Sequence, residues 1–341
     1  MPKDICLAVD AMGGDFGPEI NVPGSLAAAR ETGARIILVG DEGSIRKELD
    51  KHPRDGVSLE IVHTTQVAGM AEKPSDILVR EGRAHGVVTA GNSGAALACG
   101  MFILGRIGGV DRPALASIMP TLKNPIVLID VGANADCKPY NLVQFGLMAE
   151  VLAKHVLGIA NPRVGILSIG EEEGKGNALT KDAYSLLKSS SLNFIGNVEG
   201  RDVFVGDTDV IVCDGFVGNV ALKLSEGLGS ALASMLKTEL KKSIWSRLGT
   251  LIALPAFKRF GRKIDYAEYG GAPILGLNGI AIVCHGKSNA RAITTALQQA
   301  AIFVEKKAND QLVQALHANT ELSLFSRSGQ ASAARQEAAA L

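Results

Sequence analysis

The sequence predicts an α/β fold built on a parallel sheet, and three observations carry that prediction. Short runs rich in Val and Ile recur along most of the chain, and most are continuous rather than alternating, as strands buried on both faces require. Helical stretches lie between most of these runs, and strand and helix in regular alternation are the α/β pattern. Nearly every strand also ends in a short polar or glycine-rich turn.

In chain order, strands are expected at 5–10 (ICLAVD), 35–40 (RIILVG), 57–63, 86–90 (GVVTA), 126–131 (IVLIDV), 163–169 (RVGILSI), 192–197, 209–214 (DVIVCD) and 280–285 (IAIVCH). Helices are expected after Pro18, after a cap at Ser75 that follows Pro74, and over 93–106, 140–157, 177–190, 217–248 and 288–308. Ligands of open parallel sheets bind at the carboxyl ends of the strands, where the glycine-rich turns fall. That signal is spread along the chain, so residues 1–325 are expected to form a single catalytic unit with one extended cleft. The remaining segment, 326–341 (SRSGQASAARQEAAAL), is expected to be a frayed or disordered tail.

Composition narrows the class. The 341 residues include 39 glycines, roughly 11% against a usual share of about 7%, without a collagen period. Their expected use is tight turns and close backbone approach to a ligand. Lys plus Arg and Asp plus Glu number 35 each, which excludes a nucleic-acid binder that works by global charge. With 47% hydrophobic residues the chain has ample core material and is not disordered. The five cysteines are scattered and form no Cys-x-x-Cys, so neither a disulfide framework nor a zinc site is expected, and a reducing cytoplasm is. The start, Met-Pro-Lys-Asp-Ile-Cys, lacks a signal peptide's apolar stretch, and no run reaches the length of a membrane span.

Several strand-end turns carry residues able to do chemistry. Asp10-Ala-Met-Gly-Gly-Asp15 places Gly13 and Gly14 before a helix start, which fits either a tight strand–helix turn or an anion site made by backbone N–H groups. It is neither a Walker A loop nor Gly-x-Gly-x-x-Gly. Gly91-Asn92-Ser93-Gly94 is a second such turn, with Ser93 expected to cap the following helix, to hold phosphate, or both. Asp130-Val-Gly-Ala-Asn134 closes a third strand. Ser168-Ile-Gly170-Glu171-Glu-Glu-Gly-Lys175-Gly176-Asn boxes three glutamates and a lysine between glycines, a pattern suited to a substrate gate or phosphate clamp. Asn197-Val-Glu ends another strand, and Asp214-Gly-Phe-Val-Gly218-Asn219 joins a strand to a long helix, with Asp214 as helix cap or proton acceptor. His285 directly follows the last strand and is the best placed of six histidines. Cys137 has no His or Asn spacing that marks it as an acyl-accepting thiol.

One stretch departs from the neutral average. Residues 237–263 carry eight Lys or Arg against Glu239 alone, interleaved with Trp245, Leu251, Leu254 and Phe257. The preceding helix carries an i+4 stripe from Leu224 to Leu248, which winds about 40° per step round a helix of 3.6 residues per turn. A protruding helical hairpin over about 225–268 is expected, facing either an anionic membrane surface or a second subunit.

Six motifs in order, DAMGGDFGP from Asp10, TAGNSGA from Thr89, DVGAN from Asp130, GEEEGKGN from Gly170, NVEGRD from Asn197 and CDGFVGN from Cys213, resemble the bacterial phosphate acyltransferase family of phospholipid synthesis. The resemblance spans about residues 4–310. It implies a parallel-sheet α/β/α fold similar to isopropylmalate dehydrogenase and phosphotransacetylase, and a homodimer. It implies transfer of a fatty acyl group from acyl carrier protein to inorganic phosphate, and peripheral attachment to the inner face of the membrane. No cofactor or metal is expected.

That activity agrees with the residues. Phosphate is itself a nucleophile, so no Ser or Cys nucleophile is required. The chain must hold phosphate near the thioester carbon, stabilise an oxyanion and protonate a departing thiolate. Glycine-loop amides with Asn92, Ser93 and Lys175 are expected to do the first, Asn219 or N–H groups near Gly218 the second, and His285 or Asp214 the third. The competing enzyme reading is an isopropylmalate-dehydrogenase-like oxidoreductase, with Asp10, Asp130 and Asp214 as its metal-binding carboxylates. It lacks the dinucleotide fingerprint. The non-enzyme reading, a lipid-surface scaffold with a vestigial cleft, is disfavoured by so many polar strand ends.

Overall fold

A computed structural model describes residues 5–54, 56–64, 78–264, 266–319 and 321–322. The expected cap at Ser75 and the tail at 326–341 lie outside the described residues.

The chain forms one 11-stranded sheet in the order β3-β2-β1-β4-β11-β10-β5-β6-β9-β7-β8. Its strands are β1 Cys6–Asp10, β2 Arg35–Gly40, β3 Leu59–His63, β4 Gly86–Thr89, β5 Ala114–Met119, β6 Ile126–Ile129, β7 Arg163–Ser168, β8 Asn193–Glu199, β9 Val210–Val212, β10 Ala272–Leu275 and β11 Ile280–Val283. The helices used below are α1 Pro18–Thr32, α2 Glu42–Leu49, α3 Ser93–Cys99 continuing into a π-helical turn at Gly100–Leu104, α4 Pro139–Val156, α5 Ala178–Lys188, α6 Gly215–Lys241, α7 Ile244–Ile264, α8 Ala290–Glu305 and α9 Ala308–Ala318.

The sheet is mixed rather than wholly parallel. β3, β2, β1, β4 and β11 run parallel to one another. β10 is antiparallel to both β11 and β5, and β5 is antiparallel to β6. β6, β9, β7 and β8 are again mutually parallel. Two parallel halves therefore run in opposite directions, joined by two reversing strands. Neither reversing strand is predicted from the sequence. β10 is four residues long and carries Pro273, and β5 mixes small residues into its apolar run, so both lack the Val/Ile signature of buried strands.

The long helix expected over 217–248 is two helices, α6 and α7, and α6 starts on the sheet at Gly215. Likewise the helix over 288–308 stops at α8, because Lys307 takes a left-handed φ of 50° before α9 starts.

Each half has its own core. α1 and α8 pack on the first half, where Val22, Leu26, Ile293 and Leu297 meet Leu7, Ile36 and Ile282. In the second half α4 is buried along its length from Tyr140 to Ala153, which its near-continuous apolar sequence requires. The one amide in the middle of that run is satisfied: Gln144 accepts from Asp111 N and donates to Gly109 O. By contrast, α6 beyond its first turn and α7 are largely exposed, with Leu224, Leu228 and Leu232 all more than half accessible.

Candidate active site

The strand-end loops form two groups, one for each half of the sheet. The first unites the ends of β1, β4 and β11. Asp10 Oδ1 accepts from Met12 N–H at 3.2 Å, and its Oδ2 accepts the Thr89 hydroxyl proton at 2.9 Å. Thr89 Oγ1 accepts in turn from Gly91 N–H at 3.0 Å. Asp15 N–H donates to Gly286 O at 2.8 Å, tying the β1 loop to the β11 loop. Glycine is obligatory at 14, where φ is +83° and a Cβ would stand 3.0 Å from both Ala90 Cβ and Gly286 O. A Cβ at Gly13 would press on Asp10 Oδ2 and on the N–H groups of Ala90 and Gly91. From beneath, the wholly buried Asn21 of α1 donates to Ala11 O at 3.1 Å and Gly13 O at 2.9 Å.

His285 is exposed at the lip of this group, and its Nδ1 accepts from Lys287 N–H at 3.1 Å, a geometry that leaves the proton of the neutral ring on Nε2. The cap of α3 is Asn92, whose Oδ1 accepts from Ala95 N–H, and not Ser93, which occupies the first helical position. Gly94 follows with its hydrogen-bonded Asn92 oxygen close by.

The second group gathers the ends of β6 and β9. Asp130 is fully buried, and its carboxylate accepts five N–H bonds: from Leu115, Gly132 and Ala133 on Oδ1, and from Asn134 N and Nδ2 on Oδ2. Burial raises this carboxyl above the ordinary carboxylate range, and the hydrogen bonds from Ala133, Asn134 and Leu115 pull against it. Its oxygens are thus spent on shaping the loop, as is Asn134, which also donates to Pro113 O. Asp214 is the N-cap of α6, accepting from Phe216 N–H and Val217 N–H. Gly215 and Gly218 press α6 onto the β6 loop, and a Cβ at Gly218 would lie 1.8 Å from Asp130 O. Asn219 is exposed one residue later, beside Gly132. Among the described residues no cluster of three or more His, Cys, Asp or Glu is arranged to hold a metal.

Beside this group, the loop after β7 folds back on itself. Gly170 makes room for the Lys175 stem, and Gly176, at φ +110°, lies against Ser168 Oγ and Thr180 Oγ1. Asn197 supports the loop from below through Nδ2 donating to Glu172 O at 2.7 Å. Arg201 holds it from the side, pairing with Glu171 at 3.0 Å and Glu199 at 3.2 Å. Lys175 is left exposed at the tip. Cys137 is half-buried near Asp130 and Asp214, and burial pushes its thiol up to about 11.

Of the residues expected in the site, Asp10, Gly13, Gly14, Asp15 and His285 come together with the Asn92 turn. Asp130, Asn134, Asp214, Gly218 and Asn219 come together in the second group. Gly170, Glu171, Lys175, Gly176 and Asn197 form the neighbouring loop. Sequence reasoning missed Asn21, Thr89 and Arg201. Thr89 and Arg201 stand inside the motifs TAGNSGA and NVEGRD, but a hydroxyl or guanidinium inside a loop motif says nothing of its partner until the loops meet.

On the hairpin, Trp245, Leu251 and Leu254 are exposed, whereas Phe257 is half-buried. Among the described residues no helix is long and apolar enough to cross a membrane.

A mixed sheet with two reversed parallel halves and glycine-rich strand ends defines an α/β protein of the phosphotransacetylase fold. The chain is similar to a phosphotransacetylase from Streptococcus pyogenes, with TM-score 0.62 and 16% identity over 89% of this chain and 95% of that one. It is also similar to a branched-chain phosphotransacylase from Enterococcus faecalis V583, with TM-score 0.56 and 13% identity over 88% and 99% of the two chains. The chain belongs to the family described as fatty acid synthesis protein, whose model matches residues 5–311. Within it, the chain is 61% identical to the phosphate acyltransferase of Nitratidesulfovibrio vulgaris (strain DP4), over 94% of this chain and 97% of that protein. It is 56% identical to the phosphate acyltransferase of Lawsonia intracellularis, over 95% and 98%.

Proposed function

We propose that this chain is a phosphate acyltransferase that moves a fatty acyl group from acyl carrier protein to inorganic phosphate, giving acyl phosphate for phospholipid synthesis. The observation that carries the reading is the interlock of three strand-end loops around Gly13, Gly14 and Gly91 in a chain so close to proteins named for that reaction. The dehydrogenase reading is not favoured, because its candidate ligands Asp130 and Asp214 are occupied as acceptors of backbone N–H groups.

In the proposed reaction a phosphate oxygen attacks the thioester carbon, the C–S bond breaks, and the thiolate leaves with one proton. The Gly14 amide and the Asn92 side-chain NH2 hold the phosphate, and Lys175 balances its charge. Asn219 faces the developing oxyanion; the attacking hydrogen phosphate gives up one proton, and His285 carries a proton to the departing thiolate, so that the ring ends the step neutral as it began. Six strand steps separate β1 from β9, and a twist of roughly 20–25° per step accumulates to roughly 120–150°. A shared cleft requires that rotation to carry the carboxyl ends of the reversed half back toward the first group.

The exposed face of α6, with Leu224, Leu228, Leu232 and Leu236, supports pairing with a second copy of the chain. The apolar residues of α7, set among Lys and Arg, support peripheral contact with an anionic membrane on the cytoplasmic side. The direct test of the activity mixes the protein with acyl carrier protein thioester and phosphate and detects acyl phosphate by mass spectrometry. Product without added phosphate, or none with it, would refute the reading.

A further inference from the structure

We propose that Thr89 is a positioning residue for phosphate, acting through Asp10 and the Gly91 amide. Its side chain is buried, its hydroxyl donates to Asp10 Oδ2 at 2.9 Å, and the same oxygen accepts from Gly91 N–H at 3.0 Å. One hydroxyl therefore joins the β1 loop to the β4 loop at the point where both leave the sheet. The other Asp10 oxygen takes Met12 N–H, so the carboxylate is fixed at both ends.

The joint has little slack. Gly13 lies against Asp10 Oδ2, Ala90 N and Gly91 N, all within 3.2 Å of where a Cβ would stand. Thr89 is also anchored through its backbone, since its carbonyl accepts from Cys284 N–H at 2.8 Å, one residue before His285. The bonds of Thr89 thus set the spacing between the β1 loop, the Asn92 turn and the start of the β11 loop. Neither a helix cap nor a core contact needs a hydroxyl here, because valine fills the same volume. What valine removes is the proton that orients Asp10 and the acceptor that aims Gly91.

The proposal rests on the reading that these loops hold phosphate, and the test separates the two. Steady-state kinetics with inorganic phosphate and a fatty acyl thioester of carrier protein compare Thr89→Val, Thr89→Ser and two loop controls, Gly13→Ala and Asn92→Ala. Thr89→Val is expected to raise KM for phosphate about tenfold or more, with KM for the thioester unmoved. Thr89→Ser restores the hydroxyl and is expected to stay within about twofold of the parent. Thr89→Val is expected to unfold at a somewhat lower temperature than the parent and Thr89→Ser near it, both folded at assay temperature, and Thr89→Ala carries the comparison if the valine variant does not fold. A wild-type KM in Thr89→Val, equal impairment of valine and serine variants, or parallel change in both KM values would overturn the proposal. If the two loop controls also leave KM for phosphate unchanged, the loops do not hold phosphate and the underlying reading falls as well.

Discussion

Asn134 donates twice to one oxygen of Asp130, from its backbone N at 2.7 Å and from Nδ2 at 2.8 Å. The pair closes the loop after β6 on itself, and three further N–H groups complete the shell of the carboxylate. Asp130→Asn keeps the shape but turns an NH2 group toward N–H donors. It is expected to cost about 2–4 kcal/mol of stability, read as a lower urea midpoint at unchanged m-value.

Gly218 and Gly43 both lie in helices but have opposite surroundings. A methyl at Gly218 would meet Asp130 O at 1.8 Å, whereas at the exposed Gly43 in α2 the nearest atom is Asp41 Oδ2 at 3.5 Å. Gly218→Ala is expected to destabilise by about 2 kcal/mol or more through overpacking, and Gly43→Ala to stabilise by up to about 1 kcal/mol. Equal changes in melting temperature would contradict this account of α6 docking.

Proton transfer separates His285 from Asp214. Asp214→Asn keeps an oxygen to cap α6 and is expected to leave turnover near the parent value. His285→Ala is expected to lower kcat about 100-fold, with stability unchanged. Near-normal turnover in His285→Ala would remove the histidine from the proposed chemistry.

The Cys137 thiol titrates at about 11 because burial disfavours its thiolate. A raised pKa leaves the neutral form dominant below it, so at pH 8 about one thiol in a thousand is ionised. Alkylation by iodoacetamide should therefore be slow at pH 8 and rise about tenfold per pH unit up to roughly 10. Cys137→Ser is expected to retain acyl transfer, and loss of activity in that variant would restore the covalent thiol route.

For the hairpin, flotation with anionic liposomes compares the parent with a Leu251→Glu, Leu254→Glu double variant. Reduced flotation with unchanged acyl transfer in solution is expected, since both side chains are exposed and far along the chain from the loops. Equal flotation would remove the hairpin from the membrane account.

The Val/Ile runs of β1, β2, β4, β6, β7, β9 and β11 are legible in the sequence because each strand is buried on both faces, and burial leaves its mark residue by residue. The glycines at 13, 14 and 176 are legible for a similar reason, since a close approach or a left-handed φ excludes other residues locally. Three-dimensional packing decided the rest. β5 and β10 owe their strands to neighbours already in place, and only their reversal divides the strand ends into two groups. Asp214 reads equally well as chemistry or as a cap until the amides that donate to it are seen, and the cap of the Asn92 turn falls on Asn92 rather than on the expected Ser93 only once Ala95 N–H is placed. Thr89 gains its part from Asp10, 79 residues away, because a hydrogen bond depends on which loops the sheet brings together and not on their order in the chain.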